Sequence, residues 1–419
     1  MTERADTGPD ASRVSERVRA VEPQGIREMF DLAVEQDGDL VHLELGEPDF
    51  DTPDHVVEAA CEAATAGRTN YTANAGIAEL RAAVADALAR DGGPRPDPES
   101  EVVVTTGGVE ALHLAIHAVA DPGDEVVVPT PAWPNPISQA KLADATPVEV
   151  PMPADDGFVP DPQRIVDAIG PDTAAVLLTS PSNPTGRMFP ESAVERVVRA
   201  AADHGAYVLA DEVYRELTYT ERPPRTAAVA DRLDRESWVL TVGSVSKAYA
   251  MTGWRVGWLA GPADVIGQVT KIREHTTSCV NTPAQHAALA ALTGPQEPVE
   301  EMRQAFAERR AYVLDRIADI DGVSVAPPEG AFYAFVDVSG LAGSDTEIAT
   351  RLLTDHGVVT APGSAFGAGG AGHLRLSFSN GLDRLETGLD RFEAMVEDGA
   401  ETQNRRRANS DDPRERDHS

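Results

Sequence analysis

Lysine is nearly missing from this chain. Of 419 residues only Lys141, Lys247 and Lys271 are lysine, and the other 33 basic residues are arginine. Cysteine is rarer still. Cys61 and Cys279 are far apart and fit no metal-ligand spacing, so a disulfide framework is excluded by count and a reduced, cytoplasmic setting is expected. No stretch approaches the ~18–20 continuous apolar residues of a membrane helix. The opening "MTERADTGPDASRVSER" has no apolar core of the kind a secretory signal needs. Positive charge is in deficit, with 36 basic against 69 acidic residues and a net charge of −33. That balance argues against nucleic acid, whose phosphates need a cationic face, and against anionic membranes. Acid excess with so little lysine instead suggests a halophilic protein, kept soluble in salt that screens its self-repulsion.

What is present is a regular alternation. Residues 1–14 are polar and expected to be disordered. Residues 15–50 read as an arm, an amphipathic helix and a short strand, "DLVHLELGEPDF". In that helix Ile26, Met29, Phe30 and Ala33 share one face by their i, i+3, i+4, i+7 spacing. From 51 to 294, short apolar or β-branched runs alternate with helical patterns. "EVVVTTGG", "DEVVVP", "TAAVLLTSP", "AYVLADE" and "SWVLTVGS" are such runs, and "ESAVERVVRAAADHG" is such a helix. The pattern predicts an α/β fold, with a mostly parallel sheet covered by helices on both faces. After a long helix near 295–319 the texture changes. Residues 295–397 read as a smaller α+β domain that also takes in the N-terminal segment. The tail 398–419 has almost no apolar residues and is expected to be disordered.

Two patterns invite over-reading. "GAGGAG" at 367–372 spells the G-x-G-x-x-G dinucleotide fingerprint. That motif must follow a strand and open a helix, whereas here a strand, "HLRLSFS", comes next, so a turn is expected. His113 and His117 have the i, i+4 spacing of a zinc helix, but position 114 is leucine and no third ligand is in view. Ordinary helix histidines are expected there, and no metal. No G-x-S-x-G elbow and no G-K-[ST] phosphate loop occurs.

Chemistry gathers instead around Lys247, in "GSVSKAYAMTGWRVGW". This lysine follows the strand "WVLTVGS", and in α/β sheets ligands collect at the carboxyl ends of strands. An amine there can form a Schiff base with a carbonyl. Ser244, Ser246 and Arg255 can hold a phosphate through hydroxyls and a bidentate guanidinium. A lysine beside a phosphate cradle suggests pyridoxal phosphate. The plain alternative, a solvated loop lysine, is weakened in a chain with three lysines.

S-x-S-K-x(7)-R-x-G, here "SVSKAYAMTGWRVG", resembles the lysine signature of the class I/II pyridoxal-phosphate-dependent aminotransferases. "LELGEPDFDTP", "YTANAGIAELR", "TTGGVEAL", "PAWPNP", "SPSNPTG", "ADEVY" and "LRLSFS" look like family motifs in family order, across about residues 20–395. The likeness is to prokaryotic aspartate and aromatic aminotransferases of fold type I. It implies a large domain with a mostly parallel seven-stranded sheet between helices, a smaller α+β domain, and pyridoxal 5'-phosphate as cofactor.

The resemblance also implies roles. Lys247 would carry the Schiff base and shuttle the proton. Asp211 in "LADEVY" would pair with the pyridine nitrogen, and Tyr214 and Asn183 would reach the phenolic oxygen. Asn183 would also touch substrate. The amides of Gly107, Gly108 and Val109, at a helix N-terminus, would join Ser244, Ser246 and Arg255 around the phosphate. Trp133 would stack on the ring and border the substrate, where relatives more often have Tyr or Phe. Tyr71 would reach the phosphate of the neighbouring subunit, making a homodimer with a shared active site. Arg375 would grip the substrate α-carboxylate, which the Gly46 backbone would also approach. Plain readings stand beside these: a strand-end aspartate, a core tryptophan, turn glycines, a solvent-facing arginine.

The implied reaction moves the amino group of an L-amino acid to a 2-oxo acid, such as 2-oxoglutarate, by ping-pong kinetics. A carbon–sulfur lyase on the same scaffold is the alternative. A regulator with an aminotransferase-like module is a third class, disfavoured by the acidity and by a family match that starts near residue 20. Some bacterial aspartate enzymes of this branch have a lysine just after the glycine pair to bind the distal carboxylate. Here that position is Val109, so aspartate, aromatic and branched-chain donors all stay open.

Overall fold

The structure, a computed structural model, describes residues 14–23, 25–36, 38–90 and 92–410. The expected disorder of 1–13 and of 411–419 lies outside the described residues.

The first strand is β1 (Val41–His42). Seven more make the central sheet: β2 (Val102–Thr105), β3 (Glu125–Thr130), β4 (Thr146–Pro151), β5 (Thr173–Thr179), β6 (Tyr207–Asp211), β7 (Val239–Ser244) and β8 (Gly257–Ala260). Their spatial order is β2-β8-β7-β6-β5-β3-β4. Neighbours from β7 across to β4 pair in parallel, and β8 alone runs antiparallel to both of its neighbours. The expected α/β fold with a mostly parallel seven-stranded sheet is therefore the one observed.

Continuous apolar strands need cover on both faces, because successive side chains point to opposite sides. Val127, Val176 and Val208 are register partners across β3, β5 and β6. They pack beneath the helix Glu191–His204, through its Val194 and Val197. Leu177, Leu209 and Leu240 make the neighbouring row on the other face. They pack with Leu112 and Ile116 of the helix Gly107–Val119. Each such buried side chain contributes roughly 1.5–3 kcal/mol, so the two faces together hold the sheet against its helices.

The remaining strands are β9 (Ser324–Val325), β10 (Tyr333–Asp337), β11 (Val358–Val359), β12 (Ala361–Pro362) and β13 (His373–Ser377). Four of them form an antiparallel sheet in the order β12-β13-β10-β9, while β1 pairs in parallel with β11. Leu43 continues that join: its N–H donates to Val359, and its carbonyl accepts from Ser377. The N-terminal segment thus packs with the last third of the chain, where Met29, Val41 and Leu43 share a core with Phe306, Phe332 and Leu352. The amphipathic helix Gly25–Val34 divides its apolar face. Met29 and Ala33 are buried in that core, whereas Ile26 and Phe30 are half-buried.

The C-terminal boundary needs correcting. The last helix, Leu382–Ser410, runs well past residue 398, where disorder was expected to begin. Among its residues up to 399, the last buried are Met395 and Val396. Beyond them the sequence is still rich in Ala, Glu, Gln and Arg, good helix formers that extend a helix already nucleated by packing. Lack of apolar residues excludes a core there but not a helix.

Candidate active site

Five parallel strands end at one edge of the sheet on residues from the chemistry-bearing motifs. β2 leads to Gly108 and Val109, β3 to Trp133, β5 to Asn183, β6 to Asp211, and β7 to Ser244, Ser246 and Lys247. β8 runs the other way, so its start brings Arg255, two residues upstream, to the same edge. With Gly46, Tyr214 and Arg375 these residues line one cavity of ≈ 480 Å³. That is the size of an ordinary small-molecule site.

Ser244, Ser246, Arg255, Gly108 and Val109, all in the lining, could cradle an anion. Ser244 Oγ donates to Ser246 Oγ at 2.8 Å, and the Ser246 N–H donates back to Ser244 Oγ at 3.1 Å. Arg255 has left-handed backbone, φ 57°, and donates to the Thr252 carbonyl at 2.7 Å. Its guanidinium lies where a side chain on Gly107 would go: a Cβ there would sit 2.6 Å from Arg255 Nη2. Gly107 itself has φ +76° and opens the helix Gly107–Val119. First-turn amides of a helix have no intrahelical acceptor, so Gly108 and Val109 offer donors at its positive end. Two hydroxyls, a guanidinium and these amides converge as a phosphate would require.

Asp211 ends β6, is 5 % exposed and accepts from the Val213 N–H at 3.3 Å. Burial pushes its carboxyl up to about 7. Burial also lowers the Lys247 amine to about 8, helped by the nearby Arg375 charge. Lys247 Nζ donates to the Gly46 carbonyl at 2.5 Å and lies 5.7 Å from the centre of the Tyr214 ring. Tyr214 is buried, and burial holds its phenol well above the usual range.

Arg375 is 2 % exposed, in β13. It points inward, donating to Asn183 Oδ1 at 2.9 Å and to the Glu44 carbonyl. Its guanidinium stacks on the Tyr333 ring at 4.4 Å and the Phe366 ring at 5.0 Å. With Oδ1 committed to Arg375, the Asn183 amide nitrogen keeps its donors for the cavity.

Tyr71 lies elsewhere. It is 90 % exposed, outside the lining of this cavity. Its loop is nevertheless tied down. Thr282 Oγ1 donates to the Asn70 carbonyl at 2.7 Å, Gln285 Nε2 to Thr72 Oγ1 at 3.1 Å, and Arg273 Nη1 to the Asn74 carbonyl at 2.6 Å.

Several lining residues are not assigned to a site from sequence: Tyr333, Glu44, Arg27 and Leu112, and Ile26 and Phe30, which the sequence gives only as one face of a helix. Tyr333 and Glu44 carry detectable signals, a tyrosine in the apolar run "GAFYAFV" and an acid in "VHLEL", since buried polar groups ask for partners. Glu44 is 1 % exposed, its Oε1 meets His42 Nδ1 at 2.8 Å, and burial raises its carboxyl. The other four lie on helices whose facing toward a cavity has no sequence signal. "GAGGAG" is a turn between a short 3-10 turn at Gly363–Phe366 and β13. His113 and His117 meet edge to face at 4.3 Å, and among the described residues no cluster of three or more His, Cys, Asp or Glu could hold a metal. Nor, among the described residues, is any helix long and apolar enough to cross a membrane.

The chain is similar to known proteins over nearly its whole length. The sequence model of the family "Aminotransferase class I and II" matches residues 38–391. The aspartate/prephenate aminotransferase of Thermus thermophilus is 40% identical over 389 residues, 91% of this chain and 98% of that one. The solved aspartate aminotransferase from Thermus thermophilus with maleate superposes with a TM-score of 0.86 at 40% identity, covering 91% of this chain and 99% of that one. The aromatic aminotransferase from Pyrococcus horikoshii superposes with a TM-score of 0.82 at 33% identity, covering 89% and 99%. The chain therefore belongs to the class I and II aminotransferases, which transfer amino groups with pyridoxal 5'-phosphate.

Proposed function

We propose that Lys247 is the catalytic amine of an aminotransferase that takes the amino group from an L-amino acid and passes it to a 2-oxo acid by a ping-pong mechanism. The observation that carries this reading is a half-buried lysine, its amine lowered to about 8, in one cavity with a buried aspartate, a buried arginine and groups that could cradle an anion.

The residues fit the cofactor. The Gly107–Val109 amides, Ser244, Ser246 and Arg255 would hold its phosphate, and the absence of a side chain on Gly107 leaves room for the Arg255 guanidinium beside those amides. Asp211 would hold its ring nitrogen, Tyr214 and Asn183 its phenolic oxygen, and Trp133 its ring face. When bound, the cofactor supplies a carbonyl that condenses with amines and a cationic ring that accepts the electron pair left by breaking a Cα–H bond. The rest is done by side chains. Arg375 binds the amino acid carboxylate as a fork and fixes the Cα–H bond's direction. Lys247 Nζ, lowered to about 8, is neutral in part of the population near neutral pH. It can therefore take the Cα proton onto Nζ and give it back within the same site. Asp211, once opposite a cation, is returned to its carboxylate form and keeps the ring nitrogen protonated.

Donor choice rests on the cavity wall. Ile26, Phe30, Val109, Leu112 and Trp133 make it largely apolar, which favours aromatic or branched donors. A second reading, a dicarboxylate donor, is supported by Arg27, which lines the same cavity with its guanidinium 4.6 Å from the Phe30 ring centre. A homodimer with Tyr71 reaching the partner's phosphate, a cytoplasmic setting and a halophilic habit complete the proposal. Their support is the exposed but anchored Tyr71 loop, two unpaired cysteines and the charge of −33.

A half-reaction screen tests the reading. The cofactor-loaded protein is mixed with single L-amino acids and its visible absorption followed. Rapid loss of the band with one class, and return with a 2-oxo acid, is expected. Ammonia and pyruvate release without any 2-oxo acid would instead assign the carbon–sulfur lyase. Lys247→Ala should lack both the band and turnover; a variant that keeps the band would remove Lys247 from its role. Folding and activity should rise with KCl towards molar concentration, and full stability in dilute buffer would count against the halophilic part.

A further inference from the structure

Tyr333 stands at the start of β10, 1 % exposed, and its hydroxyl meets that of Tyr214 at 2.8 Å. The two rings lie edge to face at 5.8 Å, and Phe332 packs on both. The Tyr333 hydroxyl also borders Gly46: a Cβ on Gly46 would sit 2.6 Å from it. Arg375 covers the Tyr333 ring face, Lys247 lies 5.7 Å from the Tyr214 ring centre, and Asp211 lines the same cavity as both phenols. The phenol pair is thus enclosed by the candidate catalytic groups.

A phenol has one proton to give. The hydroxyl contact in the pair can be donated from either side. If Tyr214 spends its proton on Tyr333, it has none for anything else. If Tyr214 donates into the cavity, the bond between the phenols must run from Tyr333. Resting on the reading that Tyr214 donates to the cofactor's phenolic oxygen, we propose that Tyr333 is a positioning residue that donates to Tyr214 and thereby orients and strengthens that donation. Burial holds both phenols protonated through the neutral range, so both remain donors. Hydrogen bonds in a chain polarise one another, so the outer phenol makes the inner one a better donor. The inward-facing Tyr333 also explains Gly46, since a side chain there would displace the hydroxyl that sets the chain's direction.

The proposal makes a spectroscopic claim. Donation to the cofactor's phenolic oxygen stabilises it without its proton, and so lowers the pH at which the visible band titrates. Tyr333→Phe keeps the ring, its contact with Arg375 and its packing on Phe332, and removes only the donor. Its band should titrate about half a pH unit higher, the scale of one lost cooperative link. Tyr214→Phe should shift the band further, and adding Tyr333→Phe to it should shift nothing more. Installing 3-fluorotyrosine at position 333, a more acidic donor of nearly the same shape, should move the transition the other way, to lower pH. Cofactor affinity, read by fluorescence quenching on the cofactor-free variant, separates a local rearrangement from this electrostatic effect and should change little. An unmoved transition in Tyr333→Phe, or an equal shift in the Tyr214→Phe background, overturns the proposal while leaving the aminotransferase reading intact. An unmoved transition in Tyr214→Phe overturns both the proposal and the cofactor role of Tyr214.

Discussion

Arg375 and Asn183 lie 192 positions apart in sequence and 2.9 Å apart in space, the guanidinium Nη1 donating to the amide Oδ1. The second terminal nitrogen donates to the Glu44 carbonyl, so the fork is anchored at both tips before any substrate arrives. Arg375→Ala should mainly weaken amino-acid binding, raising the concentration needed for the half-reaction about 100-fold, as loss of a charge-assisted pair implies. Asn183→Ala should cost about tenfold through a loosened fork. The double variant should cost less than the two single losses combined, because the two groups share one contact. Single-turnover loss of the visible band against amino-acid concentration reads all three. Unchanged kinetics in Arg375→Ala would rule its role out.

Asp211 and Lys247 make the empty site costly near neutral pH. The Asp211 carboxyl is raised from 3.8 to about 7, so the stability it contributes is present below 3.8 and is lost as pH rises through 7. The Lys247 amine is lowered from 10.5 to about 8, so its contribution is present above 10.5 and is lost as pH falls through 8. Between these values both groups are charged, Asp211 buried and Lys247 half-buried. Asp211→Asn, which keeps the acceptor for the Val213 amide, should make the cofactor-free protein more stable at pH 7–8 by on the order of 2–4 kcal/mol. Its advantage over the parent should shrink to nothing towards pH 4, while its cofactor affinity falls. Denaturant unfolding of both proteins across that range checks this; a pH-independent difference would contradict it.

Val109 sits in the first turn of the helix Gly107–Val119 and lines the cavity beside Leu112 and Trp133. Val109→Lys places a cation on that otherwise apolar wall. The ratio of kcat/KM for aspartate over an aromatic donor should rise about tenfold or more, the worth of one hydrogen bond to a charged group. If Arg27 already binds a distal carboxylate, the gain should vanish and Arg27→Ala should instead lower aspartate turnover selectively. Parallel half-reaction rates for both donors distinguish the two outcomes.

Much of the site was legible because its residues stand in short motifs at strand ends. Asp211 and Ser244 close apolar strands, and Gly107 and Gly108 open a helix, so local pattern alone puts them at one edge of the sheet. Arg255 was harder: it reaches that edge only because β8 reverses direction, which no local pattern announces. Tyr333 was missed for a different reason. Its strand reads as plain core, and its polar role depends on lying diagonally beside Arg375 in the β10–β13 pairing, where Arg375 faces Phe335 directly. Arg27 and Phe30 are set by how one helix tilts over the cavity, a tertiary fact. The helix to Ser410 was missed because composition reports on core formation, whereas a helix started by Leu385, Leu389 and Phe392 can continue on propensity.

Tyr71 is the residue whose surroundings within one chain explain least. A 90 % exposed tyrosine on a loop held by Arg273, Thr282 and Gln285 has its position fixed and its ring unburied. A large aromatic so presented fits a place in a neighbouring copy, where a two-fold axis would make the exchange reciprocal. Complementation tests this directly. Lys247→Ala protein lacks the amine, and Tyr71→Ala protein should bind cofactor weakly. When the two are unfolded together and refolded at limiting cofactor, a mixed dimer holds one site with Lys247 from one chain and Tyr71 from the other. Random pairing should then restore about one quarter of the parental activity from two poorly active parents. If Tyr71 serves its own chain instead, every site in the mixture carries a lesion, and refolding together should restore nothing.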